Sequence, residues 1–147
     1  MFNFTIHTMI EINTPAEPVW NALTDLGKYH EWNPMIREAA GELKPGARLR
    51  LHFHPDNARG WIFKPKLMVV NPNRELRWKG QPGVPLIFES EHYFIIEPVG
   101  KERVRLIHNM EFYGLAIPFA KKRTIRMLQG PFVLMNQALK ERAEKRH

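Results

Sequence analysis

From Leu49 to Phe112 the sequence alternates apolar and polar side chains with a period of two, and clusters of turn-forming residues cut that stretch into short segments. Leu49, Leu51 and Phe53 oppose Arg48, Arg50, His52 and His54; Trp61, Phe63, Leu67 and Val69 follow; then Leu76 and Trp78 oppose Glu75, Arg77 and Lys79. Successive side chains of a strand point to opposite faces, so this alternation describes a sheet with one face on a core and the other in water. The punctuation "KPGA", "HPDNARG", "NPN", "QPGVP" and "PVGKE" supplies the residues tight turns need. Hairpins, and therefore antiparallel strands, are favoured over helical crossovers.

Helical signals flank this region. In "NTPAEPVWNALTDLGKYHEWNP", Thr14, Pro15 and Glu17 fit an N-cap, a first-turn proline and a capping-box glutamate. Val19, Leu23 and Leu26 give the helix an apolar face until Gly27, and a shorter turn is predicted over Tyr29 to Trp32, before Pro34. Before this pair, Phe4, Ile6, Thr8, Ile10 and Ile12 alternate with polar neighbours as a first strand. A long helix is predicted from Pro118 to Lys145, with Ile125, Leu128, Phe132, Met135 and Leu139 as its buried stripe and a kink at Pro131.

One segment breaks the expected chemistry. In "FESEHYFII", Phe88, Ser90, His92, Phe94 and Ile96 share the apolar face, so His92 lies where a hydrophobic residue belongs. The following strand repeats the oddity: Val104, Leu106, His108, Met110 and Phe112 form its inward set. A hairpin symmetric about Gly100 puts Phe94 opposite Leu106, Ser90 opposite Met110, and His92 opposite His108, with the two histidine Cβ atoms about 5 Å apart. Either the histidines are hydrogen-bonded core residues, or they are polar groups aimed into a pocket. Glu89, Glu91, Glu97, Asn109 and Glu111 fall on the outer face, which leaves no inward carboxylate to orient a histidine base.

Composition removes several functions. A chain of 147 residues suits one domain, residues 1–147. Without cysteine there is no disulfide framework, thiolate zinc site or cysteine nucleophile, and no cofactor is expected. No apolar run reaches membrane-spanning length, and "MFNFTIHTMIEI" does not resemble a signal peptide, so a cytoplasmic protein is expected. From Pro118 to the C-terminus eight cationic side chains face only Glu141 and Glu144, which puts +6 of the net charge of +7 in this tail. Its helix is either a solvated face or a patch for an anionic membrane surface. The basic strands interleaved with aromatics that nucleic-acid modules use are missing, so no nucleic-acid partner is expected.

A strand, two helices, a run of antiparallel strands and a long final helix resembles the START-like, helix-grip superfamily (SRPBCC), most closely its polyketide cyclase/dehydrase and lipid-transport branch. "TPAEPVWNALTDLGKYHEWNPMI", "GARLRL" and "FESEHYFIIEP" followed by "RLIHNMEFYGLAIP" carry the resemblance, which covers almost the whole chain. It implies an α+β fold: a curved seven-stranded antiparallel sheet wrapped around the C-terminal helix, two short helices after the first strand, and a largely apolar cavity between sheet and helix.

The candidate ligand-binding residues are therefore Trp32, Phe53, Trp61, Phe63, Leu76, Trp78, Phe88, Ser90, His92, Phe94, Leu106, His108, Met110, Phe112, Leu128, Phe132 and Met135, with Leu51 beside them. The same residues would also make an ordinary filled core. The leading reading is a protein that binds a small or medium hydrophobic molecule, lipid- or polyketide-like, with His92 and His108 orienting its polar end. A cyclase or dehydratase-like enzyme using these histidines as acid and base is the alternative, and an interaction domain with a filled core is another. His52, His54 and Asp56 have a metal-compatible spacing, but Arg48 and Arg50 on the same face oppose a cation, so no metal site is expected there.

Overall fold

The computed structural model describes residues 2–54, 59–80 and 87–145. In chain order the elements are β1 (Asn3–Ile12), α1 (Ala16–Thr24), a 3₁₀ helix (Leu26–Glu31), β2 (Ile36–Ala40), β3 (Arg50–Phe53), β4 (Trp61–Phe63), β5 (Lys66–Asn71), β6 (Glu75–Gly80), β7 (Glu89–Gly100), β8 (Arg103–Tyr113) and α2 (Ile117–Lys145). All strand pairs are antiparallel. They form a five-stranded sheet in the order β1-β8-β7-β6-β5 and a three-stranded sheet β2-β3-β4.

The two sheets are joined where residues 46–49 run beside β5. Gly46 N–H donates to Leu67 O (2.8 Å), Leu67 N–H to Ala47 O (2.8 Å) and Leu49 N–H to Pro65 O (2.9 Å). Eight strands are present among the described residues, not seven, because "WIFKPKLMVV" does not run as one strand. Pro65 has no N–H to donate, and the chain leaves the small sheet at Phe63 and enters the large one at Lys66. A bulge between Leu67 and Val69 then turns the pattern, so that Val70 rather than Val69 packs against the core.

The alternation read from the sequence matches the burial of β1, β3, β6, β7 and β8. One strand-pairing expectation is corrected. A register shift between Pro98 and Gly100 slides the β7–β8 pairing by two residues, so His92 lies opposite Met110, Phe94 opposite His108 and Ser90 opposite Phe112. A slip of two keeps every side chain on its own face, and both histidines still point inward.

The helices start and stop differently from expectation. Pro15, not Thr14, is the N-cap residue of α1, with extended backbone (φ −63°, ψ 171°) and no side-chain cap of its own. The expected second short helix is a 3₁₀ turn that starts at Leu26, earlier than Tyr29. Tyr29 anchors it: the ring is fully buried, its hydroxyl donates to Leu23 O (2.6 Å), and Trp32 packs edge-on at 5.3 Å. Asn33 Oδ1 then accepts from Met35 N–H and Ile36 N–H and turns the chain into β2.

A bulge between Ile36 and Glu38 leaves Arg37 exposed. Helix α2 runs through Pro131 and lays Leu128, Phe132, Met135 and Leu139 on the sheet. The turn "QPGVP" and most of "HPDNARG" fall outside the described residues. No described helix is long and apolar enough to cross a membrane.

Candidate functional site

Two sides of the interior differ in how they are filled. Towards the middle of α2, Leu76, Phe94, Leu106, Phe132 and Met135 are fully buried and pack against one another. Towards its N-terminal half the walls stand apart and leave a cavity of about 240 Å³. Strands β3 and β4 border it with Leu51, Phe53, Trp61 and Phe63; β6 to β8 border it with Trp78, Ser90, His92, Met110 and Phe112, together with Phe88 just ahead of β7. Thr124, Met127 and Leu128 close it from α2.

The sequence-derived set thus divides. Phe53, Trp61, Phe63, Trp78, Phe88, Ser90, His92, Met110, Phe112 and Leu128 border the cavity. Leu76, Phe94, Leu106, His108, Phe132 and Met135 do not; they belong to the filled side. Trp32 borders a separate groove between α1, the 3₁₀ helix and the end of α2. Thr124 and Met127 were not anticipated. Met127 is 38% exposed and Trp61 41% exposed, so the cavity reaches the surface between β4 and α2.

Gly80 makes that wall possible. A Cβ on Gly80 would lie 2.0 Å from Phe63 Cζ, so the absence of a side chain at the end of β6 is what lets the tip of the Phe63 ring come up against the large sheet.

His92 stands at the boundary between cavity and packed core. Its Nε2 lies 2.7 Å from His108 Nε2 although the two residues are diagonal rather than paired on their strands. His108 Nδ1 lies 2.7 Å from Asn136 Oδ1, Asn136 Nδ2 donates to Thr8 Oγ1 (2.9 Å), and Thr8 Oγ1 donates to the backbone carbonyl of His108 (2.5 Å). All four residues are at least nine-tenths buried. Phe132 stacks on both imidazoles, 4.2 Å from His108 and 5.1 Å from His92, and Phe94 stacks on them at 4.3 and 5.0 Å.

Burial drives the pKa of both histidines down, because a charged imidazole here would lose its hydration; the neighbouring His108 adds to the effect on His92, and the Asn136 hydrogen bond opposes it at His108. Both rings are therefore neutral at physiological pH. Among the described residues no carboxylate borders the cavity. Glu89 is on the outer face as expected but is buried there, 3.6 Å from Lys79.

Thr8 and Asn136 were missed as site residues. Thr8 carried a signal, since it lies in the inward alternation of β1; Asn136 sits next to the buried stripe of α2 and was hidden by the basic composition around it. His52 and His54 lie with their rings 5.9 Å apart on the outside of β3, and Asp56 is outside the described residues. Among the described residues no three side chains are arranged to hold a metal ion.

A family model described as polyketide cyclase / dehydrase and lipid transport matches residues 3–144. The chain belongs to that family. Solved structures share the fold over nearly the full length. The Zhui aromatase/cyclase of a Streptomyces species is 17% identical, with a TM-score of 0.76 over 99% of this chain and 96% of that one. Norcoclaurine synthase from Thalictrum flavum, in complex with dopamine and hydroxybenzaldehyde, is 17% identical, with a TM-score of 0.75 over 99% and 89%. A START superfamily protein from Mycobacterium smegmatis is 22% identical, with a TM-score of 0.71 over 96% and 97%. No curated protein matches the chain.

Proposed function

We propose that residues 1–147 form one ligand-binding unit that takes a compact hydrophobic molecule into the cavity between the sheet and α2, with the molecule's polar end at His92. The observation that carries this reading is an apolar-walled space of about 240 Å³ ending on a buried imidazole. An empty pocket of about 150 Å³ in another protein accommodates benzene, so this one holds a substituted ring or a short acyl chain; a longer ligand would extend past Trp61 and Met127. The space argues against a filled-core interaction domain. The depressed basicity of His92 and His108, with no carboxylate among the described residues of the cavity wall, argues against acid–base catalysis, because a good general base is poised near the working pH.

A second observation bears on the partner. Lys121, Lys122, Arg123 and Arg126 on the first half of α2 make no ion pair with a described residue, and Phe119 beside them is 91% exposed. We read this half, next to the cavity mouth at Met127, as the face that meets an anionic membrane surface.

The test of ligand binding is native mass spectrometry of the purified chain together with a titration of toluene and indole followed by protein NMR. A retained small molecule, or saturable shifts confined to Trp61, Phe63, Trp78 and Met127, is the expected result. No adduct and no saturable shift would overturn the reading.

A further inference from the structure

We propose that the cavity selects a neutral, ring-sized ligand that offers a hydrogen-bond donor, above all a hydroxyl, to His92 Nδ1, and discriminates against the same skeleton carrying only an acceptor there. The inference rests on the ligand-binding reading above.

The protons in the buried chain can be placed one after another, starting from a backbone carbonyl. Thr8 Oγ1 lies 2.5 Å from the carbonyl oxygen of His108. Two oxygens that close must share a proton, and a carbonyl has none, so Thr8 donates. Its proton spent, Thr8 Oγ1 can only accept from Asn136 at 2.9 Å, which fixes the amide NH₂ towards Thr8 and Oδ1 towards His108. An amide oxygen only accepts, so His108 Nδ1 carries the hydrogen across 2.7 Å.

A neutral imidazole has one N–H, so His108 Nε2 is bare, and the 2.7 Å contact requires the proton to sit on His92 Nε2. His92 is neutral as well, which leaves Nδ1 as a lone pair. No hydrogen bond joins that atom to a described residue, and His92 is the member of the chain that borders the cavity. The relay therefore presents an acceptor to whatever fills the space.

The rest of the wall agrees with a neutral donor. Among the described residues of the lining there is no Lys or Arg, so a carboxylate would be buried without a counter-charge. The other polar side chains among the described lining residues are the Ser90 and Thr124 hydroxyls and the indole N–H of the tryptophans. Thr124 already donates to Ala120 O (2.9 Å) and has lone pairs left. A ligand hydroxyl can donate to His92 and still accept from Ser90, whereas an ether or ketone oxygen would meet the Nδ1 lone pair with its own.

The experiment compares phenol, anisole and toluene on the full chain by NMR titration, with wild type and His92→Phe, and reads the imidazole ¹⁵N shifts of the unliganded protein. Phenol should bind at least about tenfold more tightly than anisole to wild type, and His92→Phe should abolish that preference. The ¹⁵N shifts should show an unprotonated Nδ1 on His92 and a protonated Nδ1 on His108, a readout that does not depend on the variant folding. Equal binding of all three probes, or the opposite tautomers, would overturn the inference and leave the ligand-binding reading standing. If none of the three binds, that reading falls and the inference with it.

Discussion

His92 and His108 touch across 2.7 Å, yet they belong to differently built regions of the same interior. Around His108 the sheet and α2 close completely, with Phe94, Leu106, Phe132 and Met135 fully buried in one cluster; on the far side of His92 the same two surfaces stand apart around an open volume. The exterior of α2 divides in a similar way. In its second half, Lys140 pairs with Glu144, and Arg142 with Glu31 at 2.8 Å. In its first half, the cations and Phe119 have no such partners among the described residues. The closed end is what a stable fold requires, and the open end is stability forgone beside a surface able to receive something.

The largest expected effect tests this contrast directly. Phe132→Ala removes a ring that stacks on both histidines in a filled region, and should lower unfolding free energy by about 3–5 kcal/mol through lost transfer energy and the new void. Phe88→Ala removes a half-buried ring at the cavity wall, where truncation widens a space already present, and should cost nearer 1–2 kcal/mol. Urea titrations without ligand give both numbers. Equal losses would erase the difference between the two regions.

Acid should act on the closed region. The pKa values of His92 and His108 lie below the unfolded value of about 6.5, so below that pH the unfolded chain binds more protons than the folded one. Stability is thus complete above pH 6.5 and falls as pH drops towards the folded-state values. Each histidine contributes at most about 1.4 kcal/mol per pH unit, so about 2.7 kcal/mol per unit is the ceiling for the pair. Urea midpoints between pH 7.5 and 5 should show the decline, and His108→Phe should roughly halve its slope. A flat profile would mean that these rings are more hydrated than their burial implies.

Gly80→Ala sharpens the contrast from the open side. The new Cβ must displace the Phe63 ring, and overpacking of this kind costs about 1–3 kcal/mol. Toluene affinity should fall as well, because Phe63 forms part of the wall, whereas Phe132→Ala leaves the wall's own residues in place. Unchanged binding would detach Phe63 from the site.

Facing was legible in the sequence and emptiness was not. Period two placed His92 and His108 on the inner side correctly, even though the Pro98–Gly100 irregularity moved their pairing by two residues, because a slip of two leaves the face unchanged. The division between Phe88, at a void, and Phe94, in a packed layer, could not be read, since both are inward aromatics on the same strand face and only summed volumes decide which space is filled. Pro65 did announce a break between β4 and β5, but the apolar pattern continued across it and concealed the eighth strand. Asn136 was hidden for a related reason: an isolated asparagine in a basic helix reads as solvent-facing until the histidine it meets, 28 residues earlier, is brought to it by the fold.

The smallest effect on stability belongs to the surface contrast, and there the difference lies in binding. Lys122→Glu with Arg126→Glu alters exposed side chains without ion pairs and should move stability by no more than about 0.5 kcal/mol. Near an anionic bilayer each cation is worth about 1 kcal/mol, so losing two should weaken association with phosphatidylserine-containing vesicles by about thirtyfold, and the introduced carboxylates should weaken it further. Arg142→Glu in the second half changes net charge by two units at a place where the native cation is already held by Glu31. If net charge alone governs association, Arg142→Glu should have half the effect of the double variant; if the location next to Phe119 and the cavity mouth governs it, the effect should be far smaller than half. Raising salt should weaken wild-type association, since exposed charges are screened beyond about 8 Å at physiological ionic strength, while Phe119→Ser should weaken what remains at high salt. Association indifferent to salt and to all three variants would return the first half of α2 to a solvated face and confine the contrast between the two regions to the interior.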